Sequence, residues 1–473
     1  MPIQKITTDV LNDSAITAAK IADGTVIASD IADAAVTTAK INDAAITVAK
    51  TSFGSSTAAL NIPSGTTAQR PGSASAGASR YNTDTGSLEF YNGTNWISTN
   101  LIPSINSVTG TIYAGAASNL TVSVTNGTDT VTVRFSEAGS TIADVADVAL
   151  TSGSGTVAVP SSVYGQTAGD TIVVSLINQD GTPSSNSVNE TVQALPTGGT
   201  ITTAGAYRYH TFTSSGNFVV PSGFSLTADY LLVAGGGSHR AGQHATGSGG
   251  GGAGGAIDST VSLSAQTYSI VIGAGGTGAS GGGNGNNGSD STAFSQTAIG
   301  GGRGGAYSNY HPSSGGSGGG GGYSEPNTGG AGTAGQGNAG GTGLGAMDRV
   351  GGGGGGKGAV GGNASGSGSS AVAGNGGAGI NWKSLGTFYA GGGGGGAAPW
   401  SEGGKTAGTG GSGGGGNGAR SSSDVYTAGT AGAANTGGGA GGGSVNGPSN
   451  GSNDNQAAAN GGSGICIVRY TLS

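Results

Sequence analysis

The stretch YAGGGGGGAAPWSEGGKT, residues 389–406, sets six consecutive glycines between a tyrosine and a tryptophan and ends in a lysine–threonine pair. Three readings compete for it: a phosphate cradle, a mobile linker, or one strut of a folded lattice with a loop at its end. A P-loop requires G-x-x-x-x-G-K-[ST] after a hydrophobic strand. The position reserved for its first glycine holds Pro399. The run 351–358 carries Lys357, but Gly358 stands where a hydroxyl must hold magnesium. Neither stretch cradles phosphate.

Dense glycine blocks recur at 247–255, 315–322, 351–358, 391–396, 411–418 and 437–443, and glycine accounts for 107 of the 473 residues. A linker has no need of regular block lengths, of aromatic interruptions, or of the apolar strands that enclose these blocks at both ends. A bundle of polyproline-II-type glycine helices does. Such a helix has three residues per turn and no internal hydrogen bonds, so buried N–H and C=O groups must be matched by neighbouring helices. Any Cβ would hold those neighbours apart, which makes glycine a steric requirement. Collagen is excluded because no strict G-X-Y period exists. A β-roll with glycine turns and a mobile segment remain as alternatives to the bundle.

Working outward, the chain divides into four parts. Residues 1–61 hold a decapeptide repeat, ITAAKIADGTVIASDIADAAVTTAKINDAAITVAK from Ile16 to Lys50, with a five-residue sub-period marked by Ile16, Ile21, Val26, Ile31, Val36, Ile41 and Ile46. A step of five fits neither one helix face nor one strand face. It fits a β-rich shaft that finds its core in two further copies, a homotrimer; an alanine-rich helix or tether is the alternative. Residues 62–100 are a Pro/Ser/Gly connector and a small three-stranded β-meander, with Asn92-Gly93 as a hairpin signal. Its four aromatics, Tyr81, Phe90, Tyr91 and Trp96, are expected to be its core, with a sugar-binding patch as the alternative. Residues 101–196 alternate as short strands at the spacing of an Ig-like β-sandwich that lacks the disulfide. Residues 197–473 are the glycine-rich domain, with a β-strand frame around the bundle. The fold class is therefore all-β plus polyglycine-II, in an elongated multi-domain fibre.

Composition narrows the function. Charged residues are 8% and the formal net charge is -7, with no Lys/Arg cluster, so nucleic acid and anionic membranes are poor partners. No secretion signal or membrane-spanning run is recognisable, and the single Cys466 lies in an apolar run. His239 and His244 share a loop without a second ligand cluster, and no nucleophile elbow or paired carboxylates stand out. We expect no metal, no cofactor and no enzyme activity.

What remains is recognition. If the glycine helices form a rigid slab, the segments that interrupt them emerge at its ends, and they carry Tyr307, Tyr310, Tyr323, Trp382, Tyr389, Trp400 and Tyr426. Aromatics beside Ser, Asn and Gly make a paratope-like surface. The alternative is that they cap the slab as local core.

TTAKINDAAIT and GTTAQRPGSASAGASRYNTDTGSLEFYNGTNW resemble tail-fibre segments of tailed bacteriophages, especially those of marine and cyanobacterial hosts. The frame YRYHTFTSSGNFVVPSG…GGGGGAGG…GGSGICIVRY is similar to glycine-rich domains of phage and bacterial surface proteins. The blocks are similar to tip adhesins of T-even-like phages, whose glycine helices form a sandwich with receptor-reading loops at its end. The resemblance implies a virion tail fibre, extracellular on the particle. Its N-terminal segment would join other tail or capsid proteins and its C-terminal loops would bind a host glycan or outer-membrane protein. A purely structural capsid or tail decoration is the alternative. The extra domains and longer loops of this chain carry over the role of the loops and no individual contacts.

Overall fold

A computed structural model describes residues 62–84, 86–98, 103–125, 130–177, 183–240, 246–279, 283–307, 310–325, 327–345, 348–398, 404–421, 426–444 and 458–471. The decapeptide repeat and the shaft expected for it lie outside these residues. The chain forms two units, 1–100 and 101–473.

In the first unit, β1 (Ser64–Gly65) lies parallel to β2 (Ser79–Asn82), which continues antiparallel into β3 (Ser87–Tyr91) and β4 (Trp96–Ser98). The meander forms as expected, with a fourth short strand added. Its core is not the one expected. Tyr81 and Phe90 are exposed, while Arg80, Asn82, Ser87 and Glu89 are buried. Strand alternation puts the two sets on opposite faces, and the segment from Ser64 to Arg70 covers the polar one. Arg70 binds the Glu89 carboxylate at 2.7 Å, Arg80 meets it at 3.3 Å, and the Asn82 amide donates to it at 3.1 Å. An ion cluster whose polar groups are matched can be sealed there. Tyr91 and Trp96, half-buried and 5.5 Å apart, edge that face.

The second unit begins with the sandwich. One sheet has the order β5 (Ser104–Gly110), β6 (Asn119–Thr125), β9 (Ser154–Ala158); the other runs β11 (Pro183–Thr191), β10 (Thr171–Ile177), β7 (Thr130–Glu137), β8 (Ser140–Ala149). Alternate residues such as Leu120, Val122, Val133, Phe135, Ile172 and Val174 fill the space between the sheets, as an Ig-like sandwich requires. No disulfide spans it, since Cys466 is the only cysteine and is free.

The glycine-rich domain is framed by β12 (Thr200–Ala204), β13 (Tyr207–Phe212), β14 (Gly216–Val220), β15 (Leu226–Val233), β16 (Ala256–Leu263), β17 (Gln266–Ile270), β18 (Ser291–Ala293) and β19 (Gln296–Ala298). Short hairpins β20 (Ile380–Asn381) with β21 (Phe388–Tyr389) and β22 (Arg420–Ser421) with β23 (Tyr426–Thr427) follow, and β24 (Ile465–Thr471) closes the chain. The main sheet has the order β12-β13-β24-β15-β16. The last strand thus occupies the centre, which explains its unbroken apolar run. Cys466 is fully buried there, and burial pushes its thiol up to about 12.

Between these strands the chain passes repeatedly through glycine helices that form one lattice. The strut 391–396 shows the rule. Its N–H groups donate, three residues apart, to three neighbours: Gly391 and Gly394 to Gly413 and Gly416, Gly392 and Gly395 to Gly377 and Gly374, Gly393 and Gly396 to Gly251 and Ser248. Its carbonyls accept from three more: Gly439 and Gly442, Gly411 and Gly408, Gly354 and Gly351, all at 2.7–2.9 Å. A period of three with neighbours on six sides is the packing expected of polyglycine-II. The strut 247–255 is likewise enclosed on six sides, bonded in the same way to 437–443, 299–305, 351–356, 391–396, 316–322 and 234–239. Outward N–H groups are ended by side chains: the amide oxygens of Asn287, Asn363, Asn375, Asn417 and Asn460 accept from Arg303, Thr342, Thr409, Gly410 and Gly278. Bonds between struts and side-chain caps thus take the place of sheet hydrogen bonds in this lattice.

Candidate functional site

β15 runs straight into the strut 234–239, and the strut 247–255 returns straight into β16; Ala234 pairs with Gly255 and Gly237 with Gly252. The turn joining the two struts is therefore at the end of the lattice away from the strands. Counting passes from there assigns every later turn to this outer end or to the strand end.

Four of the seven expected aromatics stand at the outer end. Tyr307, 39% exposed, stacks on Tyr323 with centroids 5.9 Å apart and planes at 18°. The Arg349 guanidinium lies 5.6 Å from the Tyr323 centroid. Burial holds Arg349 below its ordinary value, although its hydrogen bond to the Tyr323 oxygen and the nearness of both tyrosines oppose it. Tyr310 receives the Arg240 guanidinium over its ring at 3.7 Å, and its carbonyl accepts from Ala306 at 2.8 Å. Tyr426 is on a separate hairpin opposite Ser421, half-buried, with its phenol pushed up by burial. Trp400 lies outside the described residues.

The other two belong to the strand end, which corrects their reading as loop residues. Trp382 is 1% exposed and packs with Leu231, Val233, Ala253, Ile465 and Ile467. Its indole N–H donates to Asp258 at 2.9 Å. Tyr389 is half-buried on the same cluster, and burial raises its phenol. The pass before them, AVAGNGGAG from Ala371, is not a run of pure glycine and carries no block signature in the sequence.

The site also holds groups that the aromatic count overlooks. Arg240 is 4% and Lys405 3% exposed; the Lys405 ammonium donates to the Asp348 carbonyl at 2.6 Å, and burial lowers its pKa. His239 is 2% exposed, its Nδ1 has no hydrogen-bond partner among the described residues, and burial lowers it to about 4. The segments SHR, DRV and GGK that interrupt the glycine runs supply these groups. Lys357, of the rejected P-loop, is at the strand end and donates to the Gly335 carbonyl.

Chemically, this end offers flat aromatic faces and donors on a rigid base, which suits stacking and hydrogen bonding. Among the described residues no group of three or more His, Cys, Asp and Glu could hold a metal, and no helix is long and apolar enough to cross a membrane.

A family profile described as a glycine-rich domain matches residues 211–471, more than half of the chain. No curated protein matches it significantly.

Proposed function

The chain belongs to the glycine-rich domain family, and from that premise we propose that it is a bacteriophage tail-fibre protein that adheres to the host cell surface through the outer end of its glycine lattice. The observation that carries the reading is the Tyr307–Tyr323 stack, backed by Arg349 and set on helices bonded on all sides. A surface whose base cannot move loses little entropy when it binds. Residues 1–61 are proposed to trimerise the fibre and to attach it to other virion proteins. Three weak sites on one fibre then gain avidity through effective concentration. The receptor is a host glycan or an outer-membrane protein, and the action is adhesion without catalysis.

Purified protein added in excess should adsorb to susceptible cells and block infection. The double variant Tyr307→Ala/Tyr323→Ala should keep its melting temperature and lose adsorption. A protein that leaves infection untouched would instead be a capsid or tail decoration. Release of reducing sugar from host polysaccharide would make it a depolymerase.

A further inference from the structure

A cleft of about 680 Å³ opens where the sandwich meets the glycine-rich domain, far along the chain from the aromatic turns described above. One wall is the end of β11 with the turn at Tyr113; the other is the turn from Pro221 into β15. The walls are fixed to each other. Thr197 and Val219 exchange hydrogen bonds at 3.0 and 2.9 Å, and the rings of Tyr113 and Phe224 meet at 5.8 Å with planes at 56°. The site is thus formed before any ligand arrives, within the size range of small-molecule pockets.

Its lining is selective. Phe224, half-buried and backed by the buried ring of Tyr113, supplies aromatic surface, while Glu190, Gln193, Thr227 and Thr471 supply acceptors and hydroxyls. Among the described residues no Lys, Arg or His lines it, so an anionic ligand would meet a carboxylate with no lining cation to offset it. Glu190 is half-buried and burial raises its carboxyl, with no hydrogen bond or opposite charge from the described residues acting against that. The Gln193 amide makes one long bond, 3.4 Å, to the Thr191 carbonyl. Gly223, at φ +78°, lets the opposite turn approach so closely that a Cβ there would stand 3.3 Å from Gln193 Oε1.

We propose that this cleft binds a neutral saccharide unit, which packs on the half-buried Phe224 ring, backed by the buried Tyr113, and gives its hydroxyl protons to Glu190 and Gln193. A sugar ring matches both parts: its C–H face suits an aromatic face, and vicinal hydroxyls suit a carboxylate that has no donor among the described residues. The site is independent of the adhesive reading given above.

The full chain is titrated by calorimetry with neutral oligosaccharides of glucose, galactose and N-acetylglucosamine, and with oligogalacturonate as the acidic probe. The expected result is saturable binding of at least one neutral probe and none of the acidic one. Glu190→Ala should weaken it by about tenfold to a hundredfold, the loss expected for a hydrogen bond to a charged group. Thr227→Trp, on an exposed strand position, should fill the cleft and abolish binding with the melting temperature unchanged. Tyr307→Ala/Tyr323→Ala should leave it intact, which separates failure here from failure of the adhesive site. Absence of binding by every neutral probe, preference for the acidic one, or binding that survives Thr227→Trp overturns the proposal.

Discussion

The N–H of Gly393 donates to the carbonyl of Gly251 at 2.9 Å, although 142 residues separate them in the chain. A Cβ built on Gly393 would stand 1.9 Å from the carbonyl oxygen of Ala440, the next helix round. The bond and the clash are two aspects of one packing distance. Gly393→Ala should therefore force two helices apart and lower the melting temperature sharply, whereas Gly404→Ala, where the nearest atom is 3.7 Å away, should change little. Overpacking costs typically about 1–3 kcal/mol, and backbone on all sides puts Gly393 at or beyond the upper end. Thermal melting of the two variants checks it; equal melting temperatures would remove the steric argument.

The buried ion cluster of the small meander sets a different expectation. Burial alone would push the Glu89 carboxyl up, but hydrogen bonds from Arg70 and Asn82 and the charges of Arg70 and Arg80 hold it below its ordinary value. A depressed folded-state pKa contributes stability that is present above the unfolded value and lost as pH falls through the folded one. Glu89→Gln should cost about 3–5 kcal/mol at neutral pH, because Arg80 then stays buried without its partner. Urea unfolding followed by Trp96 fluorescence reads it, and the gap between wild type and variant should shrink in acid.

Two histidines give the glycine-rich domain its own acid sensitivity. Burial lowers both His210 and His239 to about 4, with nearby Arg208 adding to the effect at His210. His210 shares its nitrogens with the Gly198 carbonyl at 2.8 Å and the Tyr470 hydroxyl at 3.3 Å. Both are buried neutral, so the unfolded chain takes up protons first. Stability should be complete above about pH 6.5 and fall toward about pH 4, by roughly 3 kcal/mol for each histidine. Melting temperatures across that window check the slope, and a flat profile would contradict the burial of both rings.

Trp382→Ala should destabilise the domain by about 3–5 kcal/mol, the range for a large aromatic removed from a core. Trp382→Phe keeps most of the contact with Leu231 and Ile467 and loses the bond to Asp258, so its cost should be nearer ~1–2 kcal/mol. Folded protein of either variant should adsorb to cells as wild type does. Normal stability with weakened adsorption would return Trp382 to the binding surface.

The sequence was most legible where one residue type has one physical meaning. Glycine in regular blocks, flanked by apolar strands, implied a lattice because a Cβ cannot pass through a neighbour's backbone, and Pro399 removed the phosphate cradle on position alone. The alternation of the sandwich strands and the hairpin at Asn92-Gly93 were visible for the same reason: a period or a turn chemistry is local. The split among Tyr81, Phe90, Tyr91 and Trp96 was not, since composition names aromatics as core and only the covering segment 64–70 decides which face is sealed.

For the candidate site, the aromatics in the interrupting segments identified the right kind of residue. Which end of the lattice each reaches depends on the number of passes, and a pass such as 371–379 carries no block signature. The cations beneath Tyr310 and Tyr323 were harder still. Arg240 and Tyr310 are 70 residues apart, and nothing in either segment specifies a meeting at 3.7 Å.

The sequence alone therefore determined that glycine must line the interior, that strands must enclose it, and that aromatics must sit at its turns, because each follows from local sterics or local periodicity. Tertiary structure alone decided that Gly247–Gly255 is enclosed on six sides, that Tyr307 faces solvent and that Trp382 does not. A glycine helix has no side chains to specify its neighbours. Its position is fixed only when N–H and C=O groups on all six sides find partners, and that condition belongs to the whole bundle.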